Sequence, residues 1–252
     1  MRRRLFAAAE SPVVTIRNAA ATAKITVTKL RGNVSVLEGS GGNIAVLTGG
    51  DGKLLVDAGI PGTRARITEA LASLSNDPVK HLINSHWHFD HTDGNEWLHS
   101  IGAEITAHEN TRKHLSRTTR VEDWNFTFPP APAGALPTKV LTADETLHLN
   151  GVALALKIYP LAHTDSDISV EFTDADILHA ADTFWNACLL FWLTKYSARF
   201  LELERVTGVS LGCSPAPAYE RLGDNCRQTQ QSGMEFGLGI SFGRARPHDL
   251  DC

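Results

Sequence analysis

Cysteine is missing from the first 187 residues of this 252-residue chain, and the four present are Cys188, Cys213, Cys226 and Cys252. No Cys-x-x-Cys spacing occurs, so neither a zinc ribbon nor a redox pair is indicated, and the four read as scattered free thiols. Positive charge is also scarce. The 24 basic residues are outnumbered by 28 acidic ones, and the only basic run is Arg2-Arg3-Arg4, which argues against a nucleic-acid partner. No window approaches the roughly 18 consecutive apolar residues that a membrane-spanning helix requires, so no membrane partner is expected. The opening MRRRLFAAAESPVV has a cationic end and an apolar step, but Glu10 cuts that step short of the ~7–15 residues of an export signal. Residues 1–23 therefore read as a disordered leader, favouring the cytoplasm. A worn signal peptide, and with it a periplasmic or secreted protein, is the alternative.

What remains is a chain long enough to bury a substantial core. From Lys24, apolar and polar residues alternate through ITVTKL, NVSVLEG, NIAVLTG and KLLVDAG, with breaks at Gly32, Gly41-Gly42 and Gly49-Gly50, which predicts short strands joined by tight turns. Pro61 then opens PGTRARITEALASLS, where apolar residues recur at helical spacing and Pro stands in the first turn. VKHLINS (79–85) predicts a buried strand, AEITAH (103–108) another, and ENTRKHLSRTTR a polar helix. This order indicates a mixed α/β domain. Residues 129–138 contain four prolines and predict an irregular surface loop. Strands resume in KVLT, ETLHLN, VALALKIYP, ISVEFT and ADILHA, with Asn150-Gly151 a hairpin turn.

The strand at 79–85 runs into HWHFDH, which places His86, His88, Asp90 and His91 within six positions. Each of these residue types binds divalent metal. In extended chain, residues two apart project to one side, so His86 and His88 can grip one ion. Asp90 continues that parity and His91 points elsewhere, which suggests a second ion held by Asp90 and His91. Two-metal hydrolytic sites are ~3.5–4 Å across, a span one loop can serve. A catalytic zinc needs three protein ligands, and His163 in PLAHTDSDI and Asp182 in HAADTFW, each at or beyond a strand end, are the candidates to complete the shells.

His-x-His-x-Asp-His after an apolar strand resembles the signature of the metallo-β-lactamase superfamily, and LLVDAG, AHTDSD and HAADTFW are similar to that family's other motifs in matching order. The resemblance covers roughly residues 24–186. It implies an αβ/βα sandwich, with zinc as cofactor in two ions, iron or manganese being alternatives. It further implies His86, His88 and His163 on the first ion, Asp90 and His91 on the second, Asp182 bridging, and Asp57 supporting the metal loop from behind. The implied activity is attack by metal-activated hydroxide on the carbonyl of a small amide, lactam, lactone, ester or thioester, with Asp90 as the catalytic residue that orients the hydroxide. A degenerate metal-binding protein without turnover is the competing reading, and a phosphodiesterase a third, disfavoured by the acidic charge.

From about Asn186 the texture changes. Residues 187–252 hold all the cysteines, one lysine against six arginines and a single histidine, His248. The resemblance leads one to expect a last metal-binding histidine in a Pro-Gly-His-Gly turn, which is not found; His248 is the sole remaining candidate. The expected second half of the sandwich is therefore incomplete, and the tail reads as an out-of-frame or altered replacement, apart from an amphipathic stretch near LTKYSARFLELERV. His81, His99, His108, His114, His148 and His179 are expected at the surface or in packing. Trp87 and Phe89 are expected beneath the metal loop, and Trp124, Phe126 and Phe128 are candidates to wall an apolar pocket.

Overall fold

The computed structural model describes residues 10–39, 41–159 and 161–184. In chain order these form helix α1 (Pro12–Ala20), strands β1 (Thr26–Lys29), β2 (Val34–Glu38), β3 (Ile44–Leu47) and β4 (Lys53–Val56), then helix α2 (Arg64–Leu74) and strand β5 (Val79–Asn84). Two short helices follow, α3 (Phe89–Thr92) and α4 (Asn95–Ser100), then β6 (Glu104–His108), α5 (Glu109–Leu115), β7 (Thr119–Val121), β8 (Phe126–Phe128) and β9 (Lys139–Leu141). The described part closes with β10 (Glu145–Leu149), β11 (Val152–Tyr159), β12 (Asp167–Phe172) and β13 (Ile177–His179).

Among the described residues the strands make two packed sheets and a separate two-stranded hairpin, β7-β8. The larger has the order β1-β2-β3-β4-β5-β6-β9; its first four strands are antiparallel, whereas β4, β5, β6 and β9 run parallel. The smaller is the antiparallel meander β10-β11-β12-β13. Strand parity decides what each residue faces. Ala45, Leu47, Leu54, Val56 and Ile83 point between the sheets and meet Leu154, Leu156, Val170 and Phe172. Ile44, Val46, Leu55 and Leu82 point the other way and meet Ile67, Leu71, Trp97 and Leu98 of α2 and α4. With both faces covered, β3 and β4 are buried along their whole length, so IAVL and LLV are apolar runs and not the alternation expected there. This is the mixed α/β sandwich expected. The second helical layer, and the question of its completeness, fall in residues outside those described.

Two polar connections register the sheets at opposite ends of β4. Beside its C-terminal end, the Ile168 amide donates to the Ser85 carbonyl at 2.7 Å. At the turn before β4, the Asn150 amide donates to Asp51 Oδ2 at 2.7 Å and the Asp51 amide to Asn150 Oδ1 at 2.9 Å.

The leader reading fails over residues 12–20, which are helical. Ser11 stands before the first turn with extended backbone and Pro12 opens the helix, a start that Pro favours because its fixed φ suits the helix. Val13 is fully buried in a cluster with Ile60 and Phe89, so apolar burial holds this segment to the domain. The polar helix expected over 109–120 ends at Leu115; Thr119–Val121 instead pairs antiparallel with Phe126–Phe128. The proline-rich loop turns through a short 3-10 segment at Ala133–Ala135 and packs on α4. No helix among the described residues is long and apolar enough to cross a membrane.

Candidate metal centre

The C-terminal ends of the parallel strands β4 and β5 meet, and the chain leaving each of them carries polar residues that the core would otherwise exclude. Asp57, one residue past β4, is fully buried with φ +73°. Its carboxylate accepts from the Ser85 amide at 2.7 Å, from the Ser85 hydroxyl at 2.8 Å and from His91 Nδ1 at 2.7 Å. Since the Ser85 hydroxyl donates to this carboxylate, its 3.1 Å contact with His86 Nδ1 is one in which the imidazole N–H donates. Both rings therefore carry a proton on Nδ1 and aim Nε2 inward, the orientation that a metal requires; His86, held neutral by burial, presents that atom bare.

Below this, Asn84 and Asn95 exchange amide hydrogen bonds, Asn84 Nδ2 to Asn95 Oδ1 at 2.9 Å and Asn95 Nδ2 to Asn84 Oδ1 at 2.8 Å, while Asn95 also donates to the Ala135 carbonyl at 2.9 Å. Ser85, Asn84 and Asn95 were not singled out in the sequence; the adjacency of Asn84-Ser85 to the cluster was the available signal. Gly42 completes the back wall, since a Cβ there would overlap the His91 ring.

The extended parity expected through Asp90 stops at His88. The chain turns helical at Phe89, so Asp90 and His91 lie on a helical turn, and His91 does not point elsewhere: its ring centroid is 4.1 Å from that of His86. His163 reaches the same place from the loop between β11 and β12, with Nε2 3.0 Å from His88 Nδ1. Asp182, just beyond β13, sits between the groups. Its Oδ2 lies 3.3 Å from His163 Nε2 and 4.0 Å from His86 Nε2, and its Oδ1 lies 3.3 Å from His91 Nε2. Asp90 Oδ2 lies 3.5 Å from that same His91 atom.

Of these residues, His86, His88, His163 and Asp182 form a group whose donor atoms all lie within 4.8 Å of one another. Donors on one tetrahedral zinc, at ~2.0–2.1 Å from it, stand roughly 3.3 Å apart, so the set closes around an ion with small adjustments. A second test of fit is the state of the inward atoms: His86 Nε2 is buried and makes no hydrogen bond, and His91 Nε2 and Asp182 Oδ1, buried 3.3 Å apart, have no well-aligned partner. Buried polar atoms without partners are costly, and a cation between them removes that cost. Three imidazole nitrogens and a carboxylate oxygen are a donor set suited to a divalent transition metal.

The electrostatics agree. Burial, reinforced by the neighbouring imidazoles, holds His86 and His88 well below the ordinary histidine range and thus neutral. Burial alone would raise the Asp182 carboxyl, but His91, His163 and His88 pull it well below the usual carboxylate range. Burial opposes protonation of His91, yet Asp90, Asp182 and Asp57 outweigh it and push the ring upward. Asp90 itself is raised by burial, a shift that His91 counters. A ring of carboxylates that favours a proton on His91 equally favours a metal cation at Nε2.

Phe89 is buried with Val13 and Ile60, and Trp87 lies edge-on to His88 and stacks on His114 at 4.7 Å. Trp124 stands against the His88 ring at 4.7 Å, whereas Phe126 and Phe128 pack on Phe89 and Arg17. His99 and His179 approach backbone carbonyls, and His108 accepts from the Asn110 amide. His114 is more than surface or packing: its Nε2 lies 2.9 Å from Asp165 Oδ1, and one turn earlier Asn110 Nδ2 donates to the Asp165 carbonyl at 2.9 Å, so α5 grips the loop that carries His163. His248 and the four cysteines lie outside the described residues.

With this fold and this cluster established, comparison with known proteins places the chain. A model of the metallo-β-lactamase superfamily matches residues 37–220. This chain belongs to the metallo-β-lactamase superfamily. The match extends past residue 186, where the resemblance read from the sequence ends. Solved structures share the fold at low identity. A metallo-β-lactamase from Pontibacter korlensis is 18% identical with a TM-score of 0.57, covering 73% of this chain and 87% of that one. A Cronobacter sakazakii metallo-β-lactamase with a HARLDQ motif is 17% identical with a TM-score of 0.56, covering 89% and 90%. A B3 metallo-β-lactamase with an active-site glutamic acid is 20% identical with a TM-score of 0.53, covering 68% of this chain, and this chain spans 63% of its length.

Proposed function

We propose that this protein is a zinc-dependent hydrolase acting on the carbonyl group of a small amide, lactam, lactone, ester or thioester. The observation that carries the reading is the convergence of His86, His88, His163 and Asp182, from three separate strand ends, to within 4.8 Å. His86 Nε2, His88 Nδ1 and His163 Nε2 would hold one ion, Asp90 and His91 Nε2 a second, and Asp182 would give one oxygen to each. When bound, such ions lower the pKa of a water from ~15.7 to ~7 and polarise a carbonyl oxygen.

The chain's own residues do the rest. Asp57 and Ser85 fix the His91 and His86 rings in the ligating orientation. Asp90, at the mouth of the turn, orients the attacking water and receives its proton at Oδ2. Trp124, beside His88, excludes water from the flank of the reacting centre. General-base assistance of this kind contributes ~10²–10⁴ in rate.

A second reading, a metal-binding protein without turnover, is favoured by one observation: among the described residues the second ion has only Asp90, His91 and a shared Asp182 as donors. Metal stoichiometry of the purified chain, combined with turnover of a chromogenic lactam, a lactone and a thioester, separates the two. Two zinc ions per chain with turnover of one substrate class is the expected result. At most one weakly held ion with no turnover of any substrate overturns the hydrolase and leaves the binding protein.

A further inference from the structure

We propose that Arg17, on the amino-terminal helix α1, is a positioning residue for the turn that carries Asp90 and His91, so that this helix belongs to the metal-binding unit. The consequence for metal rests on the two-ion reading above; the mechanical part does not.

The turn α3 has Phe89 at its start and Asp93 just past its end, with Asp90 and His91 between them. One guanidinium holds both ends. Arg17 Nε donates to Asp93 Oδ2 at 2.9 Å and Nη2 lies 2.8 Å from the same oxygen, while the guanidinium carbon sits 5.2 Å from the Phe89 ring centroid. The same group also covers Phe126 and Phe128 at 5.6 and 5.9 Å, which fits the preference of a planar, weakly hydrated cation for aromatic faces. Among the described residues Arg17 is the one ion-pair partner of Asp93.

The helix that presents Arg17 is itself fixed. Val13 is fully buried, the Ser11 hydroxyl donates to the Trp124 carbonyl at 2.8 Å, and Arg66 Nη2 donates to the Ala20 and Ala21 carbonyls at 2.7 and 3.1 Å. A four-residue helix is too short to hold its own shape. Its inner side is held by the Ala58 amide, which donates to the His91 carbonyl at 2.9 Å, and by the His91–Asp57 contact; on the outer side the grip on its ends is Arg17.

The test is hydrogen exchange on the metal-free, full-length chain, comparing wild type with Arg17→Met and Arg17→Lys. The amides of His91, Thr92 and Asp93, bonded to the His88 and Phe89 carbonyls, should exchange at least about 10-fold faster in Arg17→Met while β5 and β6 amides keep their rates. Arg17→Lys, which keeps charge but loses the fork, should fall between. Cobalt(II) titration should show the weaker of two ions bound about 10-fold less tightly in Arg17→Met, within the range for outer supporting residues. Unchanged exchange at 91–93 in a folded Arg17→Met, or an equal rise throughout the chain, overturns the proposal. Should Arg17→Met not fold, Arg17→Lys decides, and wild-type rates at 91–93 overturn it. Loss of the hydrolase reading would show separately, as absence of turnover in the wild type with these exchange rates intact.

Discussion

The two loops that bring histidines to the centre are held in different ways. The loop after β5, with His86, His88 and His91, is rooted in a buried network: Asp57, Ser85, Asn84 and Asn95 are each fully buried and satisfy one another directly. The loop with His163 stands on Thr164, whose amide and hydroxyl bond to Asp167 at 2.7 and 2.8 Å, and on Asp165, reached sideways by Asn110 and His114 of α5. The first loop is part of the core and inherits its rigidity. The second combines the buried Asp167 with ties to the half-exposed Asp165, which contribute less because water competes for them. One half of the centre is thus tied directly into the core, and the other through Thr164–Asp167 and the side chains of α5.

The sharpest way to break this contrast is Asp57→Ala. It strands a buried amide, a buried hydroxyl and His91 Nδ1 together, each costing ~1–3 kcal/mol, so we expect a loss of about 3–5 kcal/mol in urea denaturation and failure to retain the ion at His91. A stability within 1 kcal/mol of wild type by that measure would contradict a core-rooted loop. Next comes Gly42→Ala, which forces the His91 ring aside at a cost of ~1–3 kcal/mol. Cobalt titration should show the His91 side weakened and the His163 side kept. The smallest effect is expected from His114→Ala. Stability should fall by about 1 kcal/mol, affinity for the ion at His163 by roughly 10-fold, and exchange in the 86–93 loop should not change. Equal weakening of both sides would erase the distinction between the loops.

Much of this was legible before any coordinates. Strands β2 to β6 and the helix after Pro61 follow from the period of their apolar residues, because one or two faces of each are buried against an obligate neighbour. The His-x-His-x-Asp-His run was legible as chemistry, since its residue types share an affinity for metal. Direction was not: extended parity separates Asp90 from His91, whereas the turn at Phe89 that reorients them is fixed by tertiary contacts, among them the Asp93–Arg17 pair, 76 residues apart. The Asn84–Asn95 pair is equally tertiary, because either asparagine alone reads as a loop residue. α1 is a different case. Ser11-Pro12 is a sound helix start, but the burial of Val13 against Ile60 and Phe89 that fixes the helix is tertiary. The hairpin at 119–128 was missed because three-residue strands carry too little alternation to register.

The paired contacts at the two ends of β4 have an ordering effect. The bridge between Asp51 and Asn150 is exposed, whereas the one from Ile168 to Ser85 lies in a dry interior. Water competes for the outer latch and not for the inner pin, so thermal fraying of the sandwich starts at the far rim and travels inward. The histidines stand at the last part of the seam to part.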